Sequence, residues 1–255
     1  MIAPGLLSVT FRQLAPDAIV SLARECGLRV VEWGGDIHVP AGDFERAREV
    51  RKITADAGLS TAAYGSYYRL LAPDRMDFEQ VLATAHELGA PAIRVWAGTK
   101  GSWESDEAHF DAVVAESLRL ADLAKPAGIQ IAFEFHGGTI NDTCEAAIRF
   151  LNAVRHPAIA TYWQPPLKMP DEDALDGLRT LLPDVRDVHA FSWTVEESGI
   201  VRHALSARAR MWGEVFGILR STGRDHAVML EFVRGDSIDA FREDARWLME
   251  NLSAG

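Results

Sequence analysis

In CGL, AGL and LGA, around Gly27, Gly58 and Gly89, a glycine closes an amphipathic stretch and leads straight into a short apolar run. A glycine so placed ends a helix, because it enters the left-handed conformation at no steric cost. The same unit recurs along the chain. Apolar runs predict strands over 5–11, 29–33, 60–65, 92–97, 128–139, 159–164, 185–193 and 227–233. Between and after them, helical patterns begin at Pro16 and run over 44–57, 77–88, 107–125, 143–154, 171–182, 206–219 and 237–252. Strands separated by helices pair in parallel, and eight such units close on themselves as a (β/α)8 TIM barrel. The 255 residues match one such domain spanning 1–255, a fold that takes about 250.

The loops are asymmetric. Helix-to-strand turns are tight and carry glycine, whereas strand-to-helix loops are long and hold Trp, His, Arg and Glu. In a barrel of this kind, chemistry sits at the C-terminal ends of the strands. The fifth strand segment, GIQIAFEFHGGT over 128–139, makes the point most strongly. With a period of two, Ile131, Phe133 and Phe135 share one face, and Gln130, Ala132, Glu134 and His136 the other. A carboxylate and an imidazole inside a strand buried on both sides are costly unless paired or metal-bound, which puts Glu134 and His136 at its C-terminal mouth.

The same parity sets Gln164 beside Ala160 and Tyr162 on strand six, His189 beside Asp187 and Phe191 on strand seven, and Glu231 beside Ala227 and Met229 on strand eight. Four adjacent strands then aim Glu134, Gln164, His189 and Glu231 at one point. Two carboxylates, an imidazole and an amide oxygen suit a divalent ion such as Mn2+, Mg2+ or Co2+. Two cysteines far apart, Cys26 and Cys144, fit no metal or redox spacing.

The motifs FEFHGGT, TYWQPP, DVHAFSW and MLEFVRGDS give the chain its resemblance to the xylose isomerase-like TIM-barrel superfamily of sugar isomerases and epimerases, which includes the tagatose/psicose 3-epimerases and inosose dehydratases. In that superfamily a divalent metal is held by Glu on strand five, Asp on six, His on seven and Glu on eight. The resemblance therefore implies metal ligation by Glu134, His189 and Glu231, with Mn2+ first and Mg2+, Co2+ or Zn2+ as alternatives. Strand six departs from the pattern, because Gln164 stands where many relatives carry Asp. The implied reaction is isomerisation or epimerisation of a keto-sugar or polyol ketone. Glu134 and Glu231 act there as catalytic carboxylates on opposite faces, and the metal stabilises an enediolate. A dehydratase or a lyase acting on a 3-keto-glycoside uses the same apparatus, and a sugar-binding barrel without catalysis is the remaining alternative.

Further residues surround that point. Arg94 and Trp96 share the inward parity of strand four, and a buried Arg94 calls for an anionic partner such as Glu134 or Glu32. His136 and Arg94 are candidates for substrate contact. Trp96 and Trp103, with Tyr67 and Trp193, offer flat walls to a sugar ring. His38 and Arg202 stand in strand-to-helix loops as further substrate-binding groups, while Arg234 and Glu32 are placed to orient the ligands. Glu196 and Glu197 speak against a phosphorylated substrate. A formal charge of −11 leaves no basic excess for nucleic acid, and no apolar run reaches membrane-spanning length. The sequence thus predicts a cytoplasmic protein with a small-molecule sugar substrate, no nucleic-acid or membrane partner, and a dimer or tetramer as a possible assembly.

Overall fold

The computed structural model describes residues 1–253. Eight parallel strands close into a barrel: β1 (Ile2–Leu7), β2 (Val30–Gly34), β3 (Ser60–Arg69), β4 (Ala92–Trp96), β5 (Gln130–Phe133), β6 (Ile159–Trp163), β7 (Val185–Ala190) and β10 (His226–Leu230). Helices α1 (Pro16–Glu25), α2 (Phe44–Asp56), α3 (Phe78–Leu88), α4 (Glu107–Ala124), α5 (Cys144–Ala153), α6 (Asp171–Leu181), α7 (Ala209–Ser221) and α8 (Ile238–Ser253) alternate with them. β1 pairs with both β2 and β10, so the closed sheet has no free edge. The glycines that punctuate the sequence behave as helix terminators, with φ of 76° at Gly27, 75° at Gly58 and 71° at Gly89.

Two separate apolar cores follow from the period of two. The larger lies between strands and helices, where Ile131 and Phe133 of β5 meet Phe150 of α5. The smaller fills the barrel with Leu7, Ala63, Ala92, Ala132, Tyr162, Ala227 and Met229. Four of those inward positions are alanine. Their small side chains leave room above them for large polar groups, and the acids of the next layer stand on this floor.

Several boundaries differ from the sequence expectation, each for a local reason. The first strand stops at Leu7, and Ser8–Phe11 turn as a 3-10 helix. β3 runs on to Arg69 through a bulge opposite β4, in which Gly65 pairs with Arg94 but Tyr68 with Val95. Ser66 holds the bulge by donating to the Arg94 carbonyl at 2.7 Å and accepting the Tyr68 amide at 3.1 Å. Strands five and eight end at Phe133 and Leu230, short of the segments expected. Phe232 turns the chain with φ 43°. The segment after β7, expected to be loop, is an antiparallel hairpin of β8 (Ser192–Glu196) and β9 (Gly199–His203). Two alternating runs around Glu197, Ser198 and Gly199 are the signal for it. Among the described residues no helix is long and apolar enough to cross a membrane.

Asp244 of α8 anchors the chain leaving this hairpin by accepting the Leu205 amide at 2.7 Å. Burial pushes its pKa up to about 6, above the ordinary value of 3.8. A carboxyl whose folded pKa is raised favours the native state below its unfolded pKa and loses that contribution as pH rises through the folded one. Asp244→Asn should therefore gain stability relative to wild type between about pH 4 and pH 7. Urea unfolding across that window reads the difference, and parallel pH profiles for the two proteins would contradict it.

Candidate active site

Glu134 and Glu231 each sit one residue past a strand end, and the sheet still holds their backbones. The Glu134 amide donates to the Val95 carbonyl at 3.0 Å and the Glu231 amide to Ala190 at 3.1 Å, so both side chains keep the inward parity. Asn141 secures the first by donating from Nδ2 to the Glu134 carbonyl at 3.1 Å. His189 enters from β7 in register with Met229. One ligand atom from each of Glu134, His189 and Glu231 lies within 4.8 Å of the others, and all three residues are buried.

Beneath them runs a network of buried charge. Arg94 donates from Nε to Glu32 Oε1 at 2.6 Å and from Nη1 to Glu134 Oε2, and Trp96 donates from Nε1 to the same Glu134 oxygen at 2.6 Å. Gly65 makes this possible. A Cβ there would fall 2.8 Å from both Arg94 and Glu32. The second oxygen of Glu32 stands 3.4 Å from His189 Nε2, while His189 Nδ1 is 3.3 Å from Gln164 Oε1 and 3.8 Å from Glu231 Oε2. Gln164 Nε2 donates to the Phe135 carbonyl at 2.7 Å, which turns the amide oxygen toward His189.

The pKa values follow from this arrangement. Burial raises the Glu32 carboxyl, but Arg94 and His189 outweigh it and hold it at about 2. An ionised Glu32 accepts the Nε2 proton of His189 and sets Nδ1 on the side of Gln164 and Glu231, where it carries a proton toward their oxygens in the absence of a cation and is the nitrogen a cation would take. Glu134 is likewise lowered against its burial by Arg94 and His189. Glu231 goes the other way. Burial, helped by the Glu134 charge, pushes it up to about 7. On His189 burial disfavours the charge, yet the carboxylates of Glu32, Glu231 and Glu134 raise its pKa.

Three buried carboxylates against one guanidinium leave two negative charges in the layer. Without a cation, protons on Glu231 and His189 offset that surplus. A divalent ion offsets it directly, with two carboxylate oxygens and an imidazole nitrogen of matching chemistry. The donor set therefore fits a divalent metal.

Above the layer a cleft of about 540 Å³ is lined by the polar Glu134, His136, Asp142, Gln164 and Glu231 and by apolar residues that include Leu167, Phe191, Trp193, Ile200 and Phe232. Phe191 and Trp193 stack at 4.0 Å to form its apolar wall. A second cleft, between the N-terminal strand and α8, contains none of the acids of this layer.

The remaining residues singled out from sequence divide. His136 lines the cleft, with Nδ1 2.7 Å from the Gly137 carbonyl. Trp96 binds Glu134 instead of forming a wall, and Arg94 is 4% exposed and committed to two carboxylates instead of substrate. Trp103 is 84% exposed and lines no part of the cleft. His38 is corrected as a substrate contact. It is buried, with Nδ1 2.9 Å from Ser8 Oγ and Nε2 3.2 Å from the Leu14 carbonyl, where it fastens its own loop. Arg234 is corrected too, since it pairs with Glu243 at 2.9 Å and orients α8 instead of Glu231. Arg202 pairs with Asp236 at 2.5 Å and lies over Trp193 and Phe232, pinning the hairpin to the rim. Asp142 and Ile200 escaped the sequence reading as cleft residues, because a loop and an unrecognised hairpin carry no parity that extends from the barrel, and Phe191 and Phe232, inside the expected strands seven and eight, were not singled out for the cleft.

The family model described as a xylose isomerase-like TIM barrel matches residues 20–251. No curated protein matches the sequence significantly. Among solved structures, the chain is similar to the probable 3-DHS dehydratase AsbF of Bacillus anthracis, at 20% identity and TM-score 0.82 over 98% of this chain and 99% of that one. It is also similar to a xylose isomerase-like TIM-barrel protein of Mycobacterium smegmatis in complex with magnesium, at 17% identity and TM-score 0.74 over 99% and 97% of the two chains. An L-ribulose 3-epimerase matches at 14% identity and TM-score 0.73 over 99% and 95%. At these identities the likeness establishes a common fold.

Removing Arg94 would strand Glu32 and Glu134 as unpaired buried charges, a loss that typically costs about 3–5 kcal/mol. Arg94→Gln should unfold at correspondingly lower urea concentration, and saturating Mn2+ should recover part of the loss. A stability unchanged from wild type would contradict the network.

Proposed function

The chain belongs to the xylose isomerase-like TIM-barrel family, and on that premise we propose that it is a divalent-metal-dependent enzyme that removes the α-proton of a polyhydroxylated ketone and isomerises or epimerises it. The observation that carries this reading is the convergence of Glu134, His189 and Glu231 at a cleft lined by both polar and apolar side chains. The metal would be held by those three side chains, with Gln164 Oε1 turned toward the same point as a fourth donor. Mn2+ and Mg2+ suit such oxygen-rich ligands. Bound there, it supplies Lewis-acid polarisation of the substrate carbonyl.

Glu231 is the base in this proposal. Its side chain accepts no hydrogen bond from any described residue, and His189 Nδ1 stands 3.8 Å from Oε2, which leaves its oxygens free to take up a proton. Glu134 is different. Its Oε2 receives both Arg94 and Trp96, which keeps it ionised and makes it a poor proton donor. Glu32 holds the His189 tautomer, and His136 faces the cleft as a contact for a substrate hydroxyl. Phe191 and Trp193 keep water from that side of the reacting carbons.

That asymmetry favours a second reading as well. Epimerisation asks for a proton donor on the opposite face, whereas one-base isomerisation and β-elimination ask only for Glu231. An elimination, the outcome named for the dehydratase relative, therefore stands as the alternative.

Incubation of keto-sugars and cyclic keto-polyols in D2O with Mn2+, followed by proton NMR, tests the proposal. Wild type should exchange the α-proton of at least one of them, and Glu231→Gln should slow exchange by about 10²- to 10⁴-fold. Appearance of an enone absorbance would mark elimination. Exchange that survives in Glu231→Gln would remove it as the base.

A further inference from the structure

The bulge in β3 moves the register on by two residues, so that Arg69, in place of Tyr67, stands beside Trp96 at the mouth. Around that mouth arginines and aromatic rings alternate in a continuous arc. Arg69 lies 4.4 Å over Trp96, Trp96 meets Tyr67 edge-on at 5.2 Å, Arg12 covers Tyr67 and Phe232, and Arg202 covers Phe232 and Trp193. Tyr67 holds its place with φ 59°, a left-handed conformation that a residue with a Cβ adopts at a cost. Two members of the arc are neutralised locally, Arg12 by Asp36 and Arg202 by Asp236.

Arg69 is not. The only hydrogen bond its side chain makes among the described residues is a long one, from Nη1 to the Gly98 carbonyl at 3.3 Å, which leaves the rest of its five donors unmatched. In a chain with 37 acidic side chains against 26 basic ones, carboxylates to pair it with are not scarce. It is nonetheless partly buried against Trp96, whose indole is bonded to Glu134. A divalent ion brings the inner layer to neutrality, so that an anion is not repelled and an outer guanidinium decides where it lies.

We propose that Arg69, stacked on Trp96, which in turn contacts the cleft residues Glu134 and His136, is a recognition site for an anionic group, so that the substrate is a carboxylic acid bearing the reacting hydroxy-ketone. A planar guanidinium fixed on an indole presents its free edge to a carboxylate in bidentate geometry. This inference uses the functional reading only in taking the cleft over Glu231 as the substrate site.

Benzoate and benzamide share a shape and differ in charge, and their binding to Mg2+-saturated protein by calorimetry tests the assignment without turnover. Wild type should bind benzoate about tenfold more tightly than benzamide, the worth of a charge-assisted hydrogen bond. Arg69→Gln should abolish that preference, and Arg69→Lys should keep about threefold of it. Absence of a preference in wild type, its survival in Arg69→Gln, or its loss in Arg69→Lys as well as in Arg69→Gln would each overturn the proposal. A chain with the benzoate preference intact that exchanges no α-proton would lose the functional reading and the hydroxy-ketone with it, and keep Arg69 as an anion site.

Discussion

The buried contact of Arg94 with Glu32 and Glu134 is the interaction on which the upper half of the barrel depends. Three charged side chains, each at most 4% exposed, are tolerable there only because their hydrogen bonds interlock. The same contacts set the chemistry of what surrounds them. Glu32, kept ionised, stands against His189 Nε2, and Glu134 is kept ionised by Arg94 and Trp96. Glu231, outside the network, is left with the raised proton affinity that burial gives a carboxyl. One guanidinium thus gives three similar carboxylates three different environments.

The barrel below is shaped to accept that network. Alanines on β3, β4, β5 and β10 keep the floor low, and Gly65 removes the one Cβ that would collide with the ion pair. The substitution of an amide for a carboxylate at Gln164 fits the same accounting. With Glu32 cancelled by Arg94, the remaining charge of Glu134 and Glu231 already matches a divalent cation. A further carboxylate on β6 would leave a net negative centre. Gln164 supplies an oxygen without a charge, and its amide nitrogen ties the site to the Phe135 carbonyl.

Much of this was legible in the sequence, wherever a period persisted. Glycine after several helices and alternation along the strands revealed the repeated unit. Parity alone brought Glu134, His189, Glu231 and Gln164 to one point, and Arg94 into reach of Glu32 and Glu134. Legibility failed where the period was broken. The two extra residues of the β3 bulge hid Arg69, and the left-handed turn at Phe232 hid its place in the cleft wall. The hairpin of β8 and β9 read as loop because its strands are short and lie outside the barrel's repeat. His38 and Arg234 were misplaced for a different reason. Their partners, Ser8, the Leu14 carbonyl and Glu243, are contacts set by loop geometry and helix docking, on which composition and spacing are silent.

The central proposal is a divalent ion held by Glu134, His189 and Glu231. Calorimetric titration of Mn2+ into chelator-stripped wild type and Glu32→Gln is its most direct test. Wild type should take up about one ion per chain, with a 10- to 100-fold weaker affinity once Glu32 no longer orients His189. A wild type that takes up no ion, or a Glu32→Gln variant that binds as tightly as wild type, would contradict it.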